Sequence, residues 1–429
     1  MTVWSSTPEL REVRGGVVRG AITPPPSKSW TQRCLNLALL SGRACRLARP
    51  LEAEDTWAFA AVLERLGWRV GRRDGSWDLV PPRGLPAAAR LDCQASGTLY
   101  RLLVAALAVI PGDWVIDGVS RLRERPIAPL VNALRDLGAE IEYLERDGCA
   151  PLRVRGGTVA GGRCRLDGSA SSQFLSALLM AGVATREGVV VEVQGLTSQP
   201  YVALTAAALE RFGGRVRWET PRTVVAPPAK LRADEVEIEP DASAACYPAA
   251  AAALTGGEVL LRGVSRDSGQ GDVGFLDLLE RMGAEVRWQP DGVEVRGTAS
   301  LRGVDADLAA MPDQGPTLAA LAPFALGSTV LRGVAHLRHK ESDRLAAMAA
   351  ELERLGATVV ETPDGLGVDG TWAEGTPCDR TEVESHGDHR IAMSLAVLGL
   401  RRPGVVVRSP EVVAKSYPRF WEDLEALLS

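Results

Sequence analysis

A repeat of 70 to 75 residues runs through most of this sequence. Each copy contains a polar turn, a helix rich in small residues, a break that contains glycine, and a strand rich in valine. Self-similarity at a fixed period is the signature of an architecture in which one supersecondary unit is copied. The predicted units begin near Lys28, Thr98, Ser171, Ser243, Asp313 and Asp388.

A second marker recurs with the same period. It is a large apolar residue followed by glycine, and its copies are again 70 to 75 residues apart. Glycine in this position is typical of a helix C-terminus, and the segments that follow are typical of short strands. The sequence therefore predicts six units, each with two helices and several short strands. The marker occurs at Leu66-Gly67, Leu137-Gly138, Phe212-Gly213, Met282-Gly283 and Leu355-Gly356.

The six units predict an α/β protein with two domains of three pseudo-repeats each. The sixth unit ends on a predicted helix, Phe420 to Leu428, with no strand after it. The segment from Leu10 to Ile22 has the pattern of the missing strands, so we expect the chain to cross between the domains twice. We also expect the helix starts of both domains to point into one cleft. The predicted boundaries are residues 1–21 for strands that complete the C-terminal domain, 22–240 for the first domain and 241–429 for the second.

The composition argues against several classes of partner. A net charge of −5 and a pI near 5.7 give no support to binding of nucleic acid or of an anionic membrane surface. The longest apolar run, from Leu102 to Ile110, is too short to span a bilayer. The N-terminal residues lack the pattern of a signal peptide, and the seven cysteines include no CxxC pair. We therefore expect a cytoplasmic protein with reduced thiols. We also expect a monomer.

Lysine is scarce in this chain, which has 4 lysines and 45 arginines. Lysine is a compact, titratable point charge, whereas arginine is a planar fork that stays protonated. A lysine retained against such a background indicates proton transfer or close phosphate contact. Lys230 lies in a polar loop and is interpreted as solvated. Lys28, Lys340 and Lys415 all lie in stretches that resemble functional motifs.

The stretch from Pro24 to Arg33 predicts an anion-binding helix start. Three prolines end whatever precedes them, and Ser27 or Ser29 can then cap a helix. The first turn of a helix presents unpaired N–H groups and the positive end of the dipole. The alternative interpretation is a capped surface helix with solvated charges, and the recurrence of such starts favours the first.

The other candidate residues also fall at predicted helix starts and in strand-to-helix loops. Together they describe a site with many cations, several hydroxyl donors and few acids. Such a site suits ligands with several phosphates and carboxylates, because arginine binds these groups as a fork and lysine binds them as a point charge. Asp313 and Glu341 lie among the cations and are therefore candidates for proton transfer.

Two further patterns allow alternative interpretations. The spacings His336-x-x-His339 and His386-x-x-His389 are compatible with zinc, but neighbouring Arg and Lys residues would repel a dication. Residues 268–274 match the GxGxxG pattern of dinucleotide sites. Their position in the repeat equals that of loops without the pattern, so a glycine-rich turn is the simpler interpretation.

The candidate residues lie in a series of short motifs, which in chain order are PPSKSWTQR, SGTLYR, RLRERPIAPLVNALRDLGA, DGSASSQFLSALLM, TSQPY, MPD, KESDR, GDHRIAM and AKSYP. In these motifs the chain resembles the EPSP synthases of the enolpyruvyl transferase family. The resemblance covers nearly the whole sequence and rests on motifs in the expected order. It implies a fold of two inside-out α/β domains and a place in the shikimate pathway. It also implies transfer of the enolpyruvyl group of phosphoenolpyruvate to the 5-hydroxyl of shikimate 3-phosphate, with no metal or organic cofactor.

The resemblance also implies a role for each matching residue. Asp313 would take the proton of the attacking hydroxyl, and Glu341 with Lys28 would protonate the methylene carbon and later reclaim a proton. The residues implied for the shikimate 3-phosphate carboxylate, phosphate and ring are Ser29, Arg33, Ser171, Ser172, Gln173, Ser198, Tyr201, His336 and Lys340. Those implied for phosphoenolpyruvate are Lys28, Gly97, Arg125, Arg344, Arg390 and Lys415.

Two departures keep other interpretations open. Gln94-Ala95 stands where the family has Gly-Asn, and His336 stands where it has Asn. The alternatives are therefore a paralogous enolpyruvyl transferase with another acceptor and a non-catalytic anion-binding relative. The sister family that acts on UDP-sugars is set aside, because Ser29 and Ser120 stand where that family has Asn and a reactive Cys. Leu102 also stands where many members have proline, and this difference predicts an altered sensitivity to glyphosate.

Overall fold

The computed structural model describes residues 9–298, 300–372 and 379–428. Within them the chain divides into two compact units. One spans Pro26–Glu239 and is called the N-terminal unit here; the other combines the described residues up to Pro25 with those from Pro240 onward and is called the C-terminal unit. Residues 1–8 and Ser429, which belong to the predicted domain ranges, lie outside the described residues.

The helices follow the predicted period. The first helix of each repeat begins within two residues of the predicted start. No helix among the described residues is both long and apolar enough to cross a membrane. In chain order the helices are α1 (Lys28–Ser41), α2 (Glu54–Arg65), α3 (Gly97–Val109), α4 (Ser120–Arg123), α5 (Ala128–Asp136), α6 (Ser172–Gly182), α7 (Pro200–Arg211), α8 (Ala242–Thr255), α9 (Gly274–Arg281), α10 (Gly315–Leu321), α11 (Arg344–Arg354), α12 (His389–Gly399) and α13 (Phe420–Leu427).

The strands are short and follow the helices at regular intervals. In chain order they are β1 (Leu10–Glu12), β2 (Arg19–Ile22), β3 (Cys45–Ala48), β4 (Arg69–Arg73), β5 (Ser76–Val80), β6 (Ala88–Asp92), β7 (Gly112–Asp117), β8 (Glu140–Tyr143), β9 (Leu152–Gly156), β10 (Gly162–Asp167), β11 (Val189–Gln194), β12 (Arg217–Thr220), β13 (Thr223–Ala226), β14 (Glu235–Glu237), β15 (Glu258–Arg262), β16 (Glu285–Gln289), β17 (Gly292–Arg296), β18 (Asp305–Asp307), β19 (Gly327–Arg332), β20 (Val359–Thr362), β21 (Gly365–Gly370), β22 (Thr381–Glu384) and β23 (Val405–Arg408).

The described strands form six sheets, one for each repeat. In the four-stranded sheets a parallel pair precedes an antiparallel hairpin, as in β10-β11-β13-β12. A helix such as α6 connects the parallel strands β10 and β11, because parallel neighbours need a long crossover. The sixfold repeat read from the sequence is therefore confirmed at the level of sheets and helices.

The apolar-glycine markers end helices as the sequence predicts. The second helices of the first five repeats, α2, α5, α7, α9 and α11, all end within a residue or two of their marker glycine. Each glycine has a positive φ, for example 90° at Gly67 and 108° at Gly283. A residue without a Cβ enters this left-handed region without steric cost. The chain can therefore reverse sharply at these points and begin the next strand.

The two N-terminal strands join different sheets. β1 pairs antiparallel with β23 and completes the sheet of the sixth repeat. β2 instead pairs in parallel with β15, in the sheet of the fourth repeat, with Ile22 opposite Leu261. The sequence analysis places both strands in the C-terminal domain, as the missing strands of the sixth unit. β1 takes that position, whereas β2 lies in the C-terminal unit but completes the sheet of the fourth repeat. The reason is an exchange: β14, which directly precedes α8, pairs with β3 in the N-terminal unit, so β15 takes its parallel partner from the start of the chain.

Each unit has its own hydrophobic core. The first helices of the repeats are buried on nearly every face, and in α1 every residue from Trp30 to Leu39 is buried. A helix that is apolar or small on all sides must lie inside a domain. The alternative interpretation of α1 as a surface helix with solvated charges is therefore wrong.

Candidate active site

Lys28 opens helix α1 and is held by a buried carboxylate. Ser27 is the N-cap, and its side chain accepts a hydrogen bond from the Trp30 N–H. The Lys28 Nζ lies 3.3 Å from the Asp55 Oδ2, and Asp55 in the first turn of α2 is 5% exposed. The ion pair fixes the ammonium group at the helix start. Asp55 was not predicted as a site residue, because acids are common in the first turn of a helix, where they interact favourably with the helix dipole.

Arg33 lies inside the N-terminal unit, with 1% of its surface exposed. Its guanidinium donates to the Thr205 hydroxyl (2.8 Å), the Ser29 carbonyl (3.0 Å) and the Tyr201 carbonyl (3.1 Å). Burial lowers the pKa of Arg33 to about 10, so the group stays charged at neutral pH. Arg33 thus joins α1 to α7 and brings the main chain of Ser29 and Tyr201 together. Its predicted contact with a substrate carboxylate stays a prediction.

The starts of α3 and α6 are joined by a network of hydrogen bonds. Arg101, 3% exposed, donates to the Ser171 hydroxyl (3.1 Å) and to the Gln173 amide oxygen (2.7 Å). The amide nitrogen of Gln173 donates to the Thr98 hydroxyl at 2.8 Å. Ser171 also caps α6, accepting from the Gln173 N–H. The structure therefore brings Ser171 and Gln173 together and shows that Arg101 sets their orientation.

Gly97 and Arg125 are in direct contact. A Cβ added at Gly97 would meet the guanidinium of Arg125, 2.7 Å from Nη2 and closer to Nη1. Arg125 follows α4 and is 5% exposed. Glycine is therefore required here, because it lets the guanidinium lie against the first residue of α3.

The remaining predicted residues of the N-terminal unit lie at the starts of helices α1, α6 and α7 or just before them. Ser172 is buried as the first residue of α6. Ser198 is buried and has a φ of 53°, an uncommon conformation for a residue with a side chain. Its carbonyl accepts a hydrogen bond from the Tyr201 N–H at the start of α7. Ser29 lies in the first turn of α1.

In the C-terminal unit, Arg344 is the centre of a buried ion cluster. It is 2% exposed, and its three nitrogens contact three carboxylates. The distances are 2.7 Å to Asp388, 2.9 Å to Asp313 and 3.0 Å to Glu341. Burial works against the charged guanidinium, but the three carboxylates, Asp388 first, offset it and raise the pKa of Arg344. Two of the predicted proton-transfer residues, Asp313 and Glu341, thus contact one arginine.

Arg390 completes the cluster from helix α12. Its Nη2 lies 2.8 Å from the Asp313 Oδ2, so Asp313 bridges Arg344 and Arg390. Its Nη1 donates to the buried Tyr247 hydroxyl at 3.4 Å. Asp388 caps the same helix by accepting from the Arg390 N–H (2.9 Å). One capping carboxylate therefore fixes both the start of α12 and the position of Arg344.

His336, Lys340 and Lys415 lie in short 3₁₀ segments or beside them. His336 is 6% exposed, and Lys415 is equally buried at the end of the turn Pro410–Lys415. Lys340 follows the turn Ala335–His339 and is half-buried. The pKa of His336 is lowered to about 4, mainly by burial and to a smaller extent by the positive charge of Lys340. The imidazole is therefore neutral at physiological pH, able to donate from one nitrogen and accept at the other.

Replacing His336 by asparagine should make the fold less sensitive to acid. The folded ring has a pKa of about 4, while an unfolded ring has one of about 6.5. Between these values the unfolded chain binds a proton that the folded chain does not, so stability is complete above the higher value and is lost as the pH falls towards the lower. The loss amounts to about 3 kcal/mol at most. Urea unfolding at neutral and acidic pH should show a smaller loss for His336→Asn than for the wild type.

The matched control is His339→Asn. His339 is exposed in the same turn, so this variant should lose as much stability in acid as the wild type. An equal loss in His336→Asn and the wild type would contradict the neutral, buried state of the ring.

The model of the EPSP synthase (3-phosphoshikimate 1-carboxyvinyltransferase) family matches residues 13–424. The chain belongs to the EPSP synthase family. Among relatives of the family, the 3-phosphoshikimate 1-carboxyvinyltransferase of Syntrophobacter fumaroxidans is 45% identical over 416 residues, which is 96% of this chain and 98% of that protein. The enzyme of the same name from Methanoculleus marisnigri is 40% identical over 97% of this chain and 98% of its own.

A solved EPSP synthase agrees in fold. The structure from Acinetobacter baumannii superposes with a TM-score of 0.80 at 29% identity, covering 98% of each chain. The α/β architecture of the EPSP synthase family, inferred from motifs, is thereby confirmed. The family match covers every motif on which the resemblance was based.

Proposed function

We propose that this protein transfers the enolpyruvyl group of phosphoenolpyruvate to the 5-hydroxyl of shikimate 3-phosphate, giving 5-enolpyruvylshikimate 3-phosphate and phosphate. The observation that carries the proposal is the buried cluster in which Asp313 contacts both Arg344 and Arg390. Two guanidinium forks suit the carboxylate of one substrate, and the adjacent carboxylates suit proton transfer. Its enzyme class is a carboxyvinyl transferase, as in its relatives.

The residues of the N-terminal unit would bind the phosphates and carboxylate of the substrates. Ser29 and Arg33 would bind the shikimate carboxylate, and Ser171, Ser172 and Ser198 its phosphate. The capped starts of α1 and α6 support this role, because helix N-termini present N–H groups to anions. The other residues proposed to contact the substrates are Lys28, Gly97, Arg125, Gln173 and Tyr201, together with His336, Lys340 and Lys415 of the C-terminal unit.

The chemistry would proceed by addition and then elimination. In the addition, the 5-oxygen bonds to C2 of phosphoenolpyruvate, Asp313 takes the hydroxyl proton, and Glu341 with Lys28 protonates C3. In the elimination, C3 returns a proton to Glu341 and the bond between C2 and the phosphate oxygen breaks. Arg344 and Arg390 would hold the carboxylate of phosphoenolpyruvate throughout. The contact of Arg344 with both Asp313 and Glu341 supports these roles, in which the arginine binds the substrate carboxylate and the two acids beside it transfer protons.

The proposed function is tested by measuring phosphate release from phosphoenolpyruvate. We expect release with shikimate 3-phosphate and none with shikimate or other cyclic alcohols. Activity with another acceptor alone would favour the paralogous transferase, and absence of activity with all of them would favour a non-catalytic anion-binding protein. Cytoplasmic location and a monomeric state remain predictions, the second to be tested by sedimentation.

Gly97→Ala should weaken the binding of phosphoenolpyruvate without unfolding the protein. The new methyl group would displace the end of the flexible Arg125 side chain rather than the main chain. A displaced guanidinium loses a charge-assisted contact of roughly 1.5–3 kcal/mol, which corresponds to a rise in KM of about 10- to 100-fold. Steady-state kinetics at varied concentrations of phosphoenolpyruvate measures this change in KM.

Gly84→Ala is the matched control for this variant. Gly84 lies in the same unit, and a Cβ there would meet nothing within 4 Å. The control should keep the wild-type KM. A wild-type KM in Gly97→Ala as well would count against Arg125 as a phosphoenolpyruvate ligand.

A further inference from the structure

A buried carboxylate outside the family motifs lies close to the ion cluster of the C-terminal unit. Asp272 is 2% exposed and lies in the 3₁₀ turn Gly271–Val273, directly before α9. Its turn belongs to the glycine-rich loop 268–274, which the sequence analysis interpreted as a simple turn of the repeat. None of the substrate roles described above uses it. A buried acid needs compensating partners, so its contacts indicate what it does.

The side chain of Asp272 is bonded to the neighbour of Asp313 in the chain. The Gln314 amide nitrogen donates to the Asp272 Oδ1 at 2.8 Å, and Gln314 is fully buried. The amide oxygen of Gln314 accepts from the Thr317 hydroxyl at 3.2 Å. Both ends of the Gln314 side chain are therefore held. Because Asp313 and Gln314 share the short turn Pro312–Gln314, fixing one restricts the other.

The charges around Asp272 come from three other elements. The charges of Asp313 in the turn before α10, Arg390 in α12 and Asp241 directly before α8 act on its carboxyl group. The main-chain oxygen of Asp272 also accepts from the Cys246 thiol of α8. The pKa of Asp272 is raised to about 6, mainly by burial and to a smaller extent by the negative charge of Asp313. The positive charge of Arg390 acts in the opposite direction. The carboxyl group is thus largely ionised at neutral pH, although it is buried.

We propose that Asp272 is a positioning residue for Asp313, acting through its hydrogen bond to Gln314 and through its charge on the Asp313–Arg390 ion pair. The inference rests on the proposed role of Asp313 as the proton acceptor. Electrostatic coupling between two carboxylates is mutual. An ionised Asp272 therefore disfavours the negative charge on Asp313, which makes Asp313 a stronger proton acceptor. The hydrogen-bonded Gln314 keeps Asp313 oriented between Arg344 and Arg390.

The test separates charge from geometry with two variants. Asp272→Asn keeps an oxygen that can accept from Gln314 but removes the charge. Gln314→Met removes the hydrogen bond and keeps the charge. Asp277→Asn is the control, since Asp277 is exposed on α9 only five residues away.

For Asp272→Asn we expect kcat to fall roughly tenfold, with the KM of both substrates changed by less than about threefold. The acidic limb of the pH profile of kcat should move to lower pH, because Asp313 becomes a weaker acceptor. Gln314→Met should lower kcat and leave that limb in place. The control should match the wild type in both.

Thermal unfolding distinguishes this role from a structural one. The pKa of folded Asp272 is raised to about 6 from 3.8, so this group destabilises the fold increasingly as the pH rises through that interval. Above it, removing the charge should leave the Tm of Asp272→Asn equal to that of the wild type or higher. A lower Tm at that pH would assign Asp272 a structural role and overturn the proposal.

Measuring Asp313→Asn in parallel keeps the two proposals apart. If Asp313→Asn turns over normally, the role of Asp313 fails, and this inference fails with it. If Asp313→Asn is inactive while Asp272→Asn keeps a wild-type kcat and pH profile, only the inference about Asp272 is overturned.

Discussion

Asp313→Asn should lower kcat by about 10²- to 10⁴-fold, the usual contribution of a positioned proton acceptor. Asparagine has nearly the same shape as aspartate but cannot accept the hydroxyl proton. The carboxylate also contacts Arg344 at 2.9 Å and Arg390 at 2.8 Å. Removing its charge leaves both guanidinium groups less neutralised, so the affinity for phosphoenolpyruvate should not fall. Steady-state kinetics and calorimetric titration of phosphoenolpyruvate measure the two effects separately.

Asp305→Asn is the control for this variant. Asp305 is exposed in the same unit and also pairs with an arginine, since its Oδ1 lies 2.7 Å from Arg332 Nη2. It should retain full turnover. A drop in phosphoenolpyruvate affinity in Asp313→Asn, with kcat unchanged, would reverse the proposed division between binding arginines and a proton-accepting aspartate.

Arg344→Ala should both destabilise the protein and abolish tight binding of phosphoenolpyruvate. Its removal leaves Asp388, which is fully buried, without the guanidinium that contacts it at 2.7 Å. Breaking a buried ion pair on one side costs about 3–5 kcal/mol. The same change removes a proposed fork for the substrate carboxylate. Urea unfolding and the KM for phosphoenolpyruvate are the two measurements.

Two further variants make the Arg344 experiment decisive. Arg332→Ala removes an exposed arginine that also pairs with an aspartate, and should cost no more than about 1 kcal/mol. Arg344→Lys keeps the charge near Asp388 but loses the fork, so it should fold and still have a raised KM. A folded Arg344→Lys with the wild-type KM would remove Arg344 from the substrate site.

The parts of the fold that depend on local chemistry were predictable. Helix starts and left-handed glycines, such as Gly67, follow from residues close to one another in the chain. The partner of β2 was not predictable, because the pairing of strands that are distant in sequence depends on which strands the rest of the fold leaves available. The boundary between the units falls at Pro25–Pro26 and Glu239–Pro240, close to the proposed 22 and 240.

The candidate site was predictable as a set of cations and less so as a set of acids. Repeat position and lysine scarcity pointed to Lys28, Lys340 and Lys415. Asp55 and Asp272 carry no such signal, because an acid at a helix start is common whatever it contacts. Only the three-dimensional arrangement shows that one holds a lysine and the other lies beside the ion cluster.

The exchange of β2 and β14 has a consequence for synthesis on the ribosome. The N-terminal unit is an uninterrupted stretch, Pro26–Glu239, so it can complete its core while the rest of the chain is still being made. β1 and β2 emerge earlier than that stretch, yet β15 and β23, with which they pair, emerge after it. β1 and β2 are thus made before this stretch but can pair only after it is complete, and until then their strand edges stay open to mispairing.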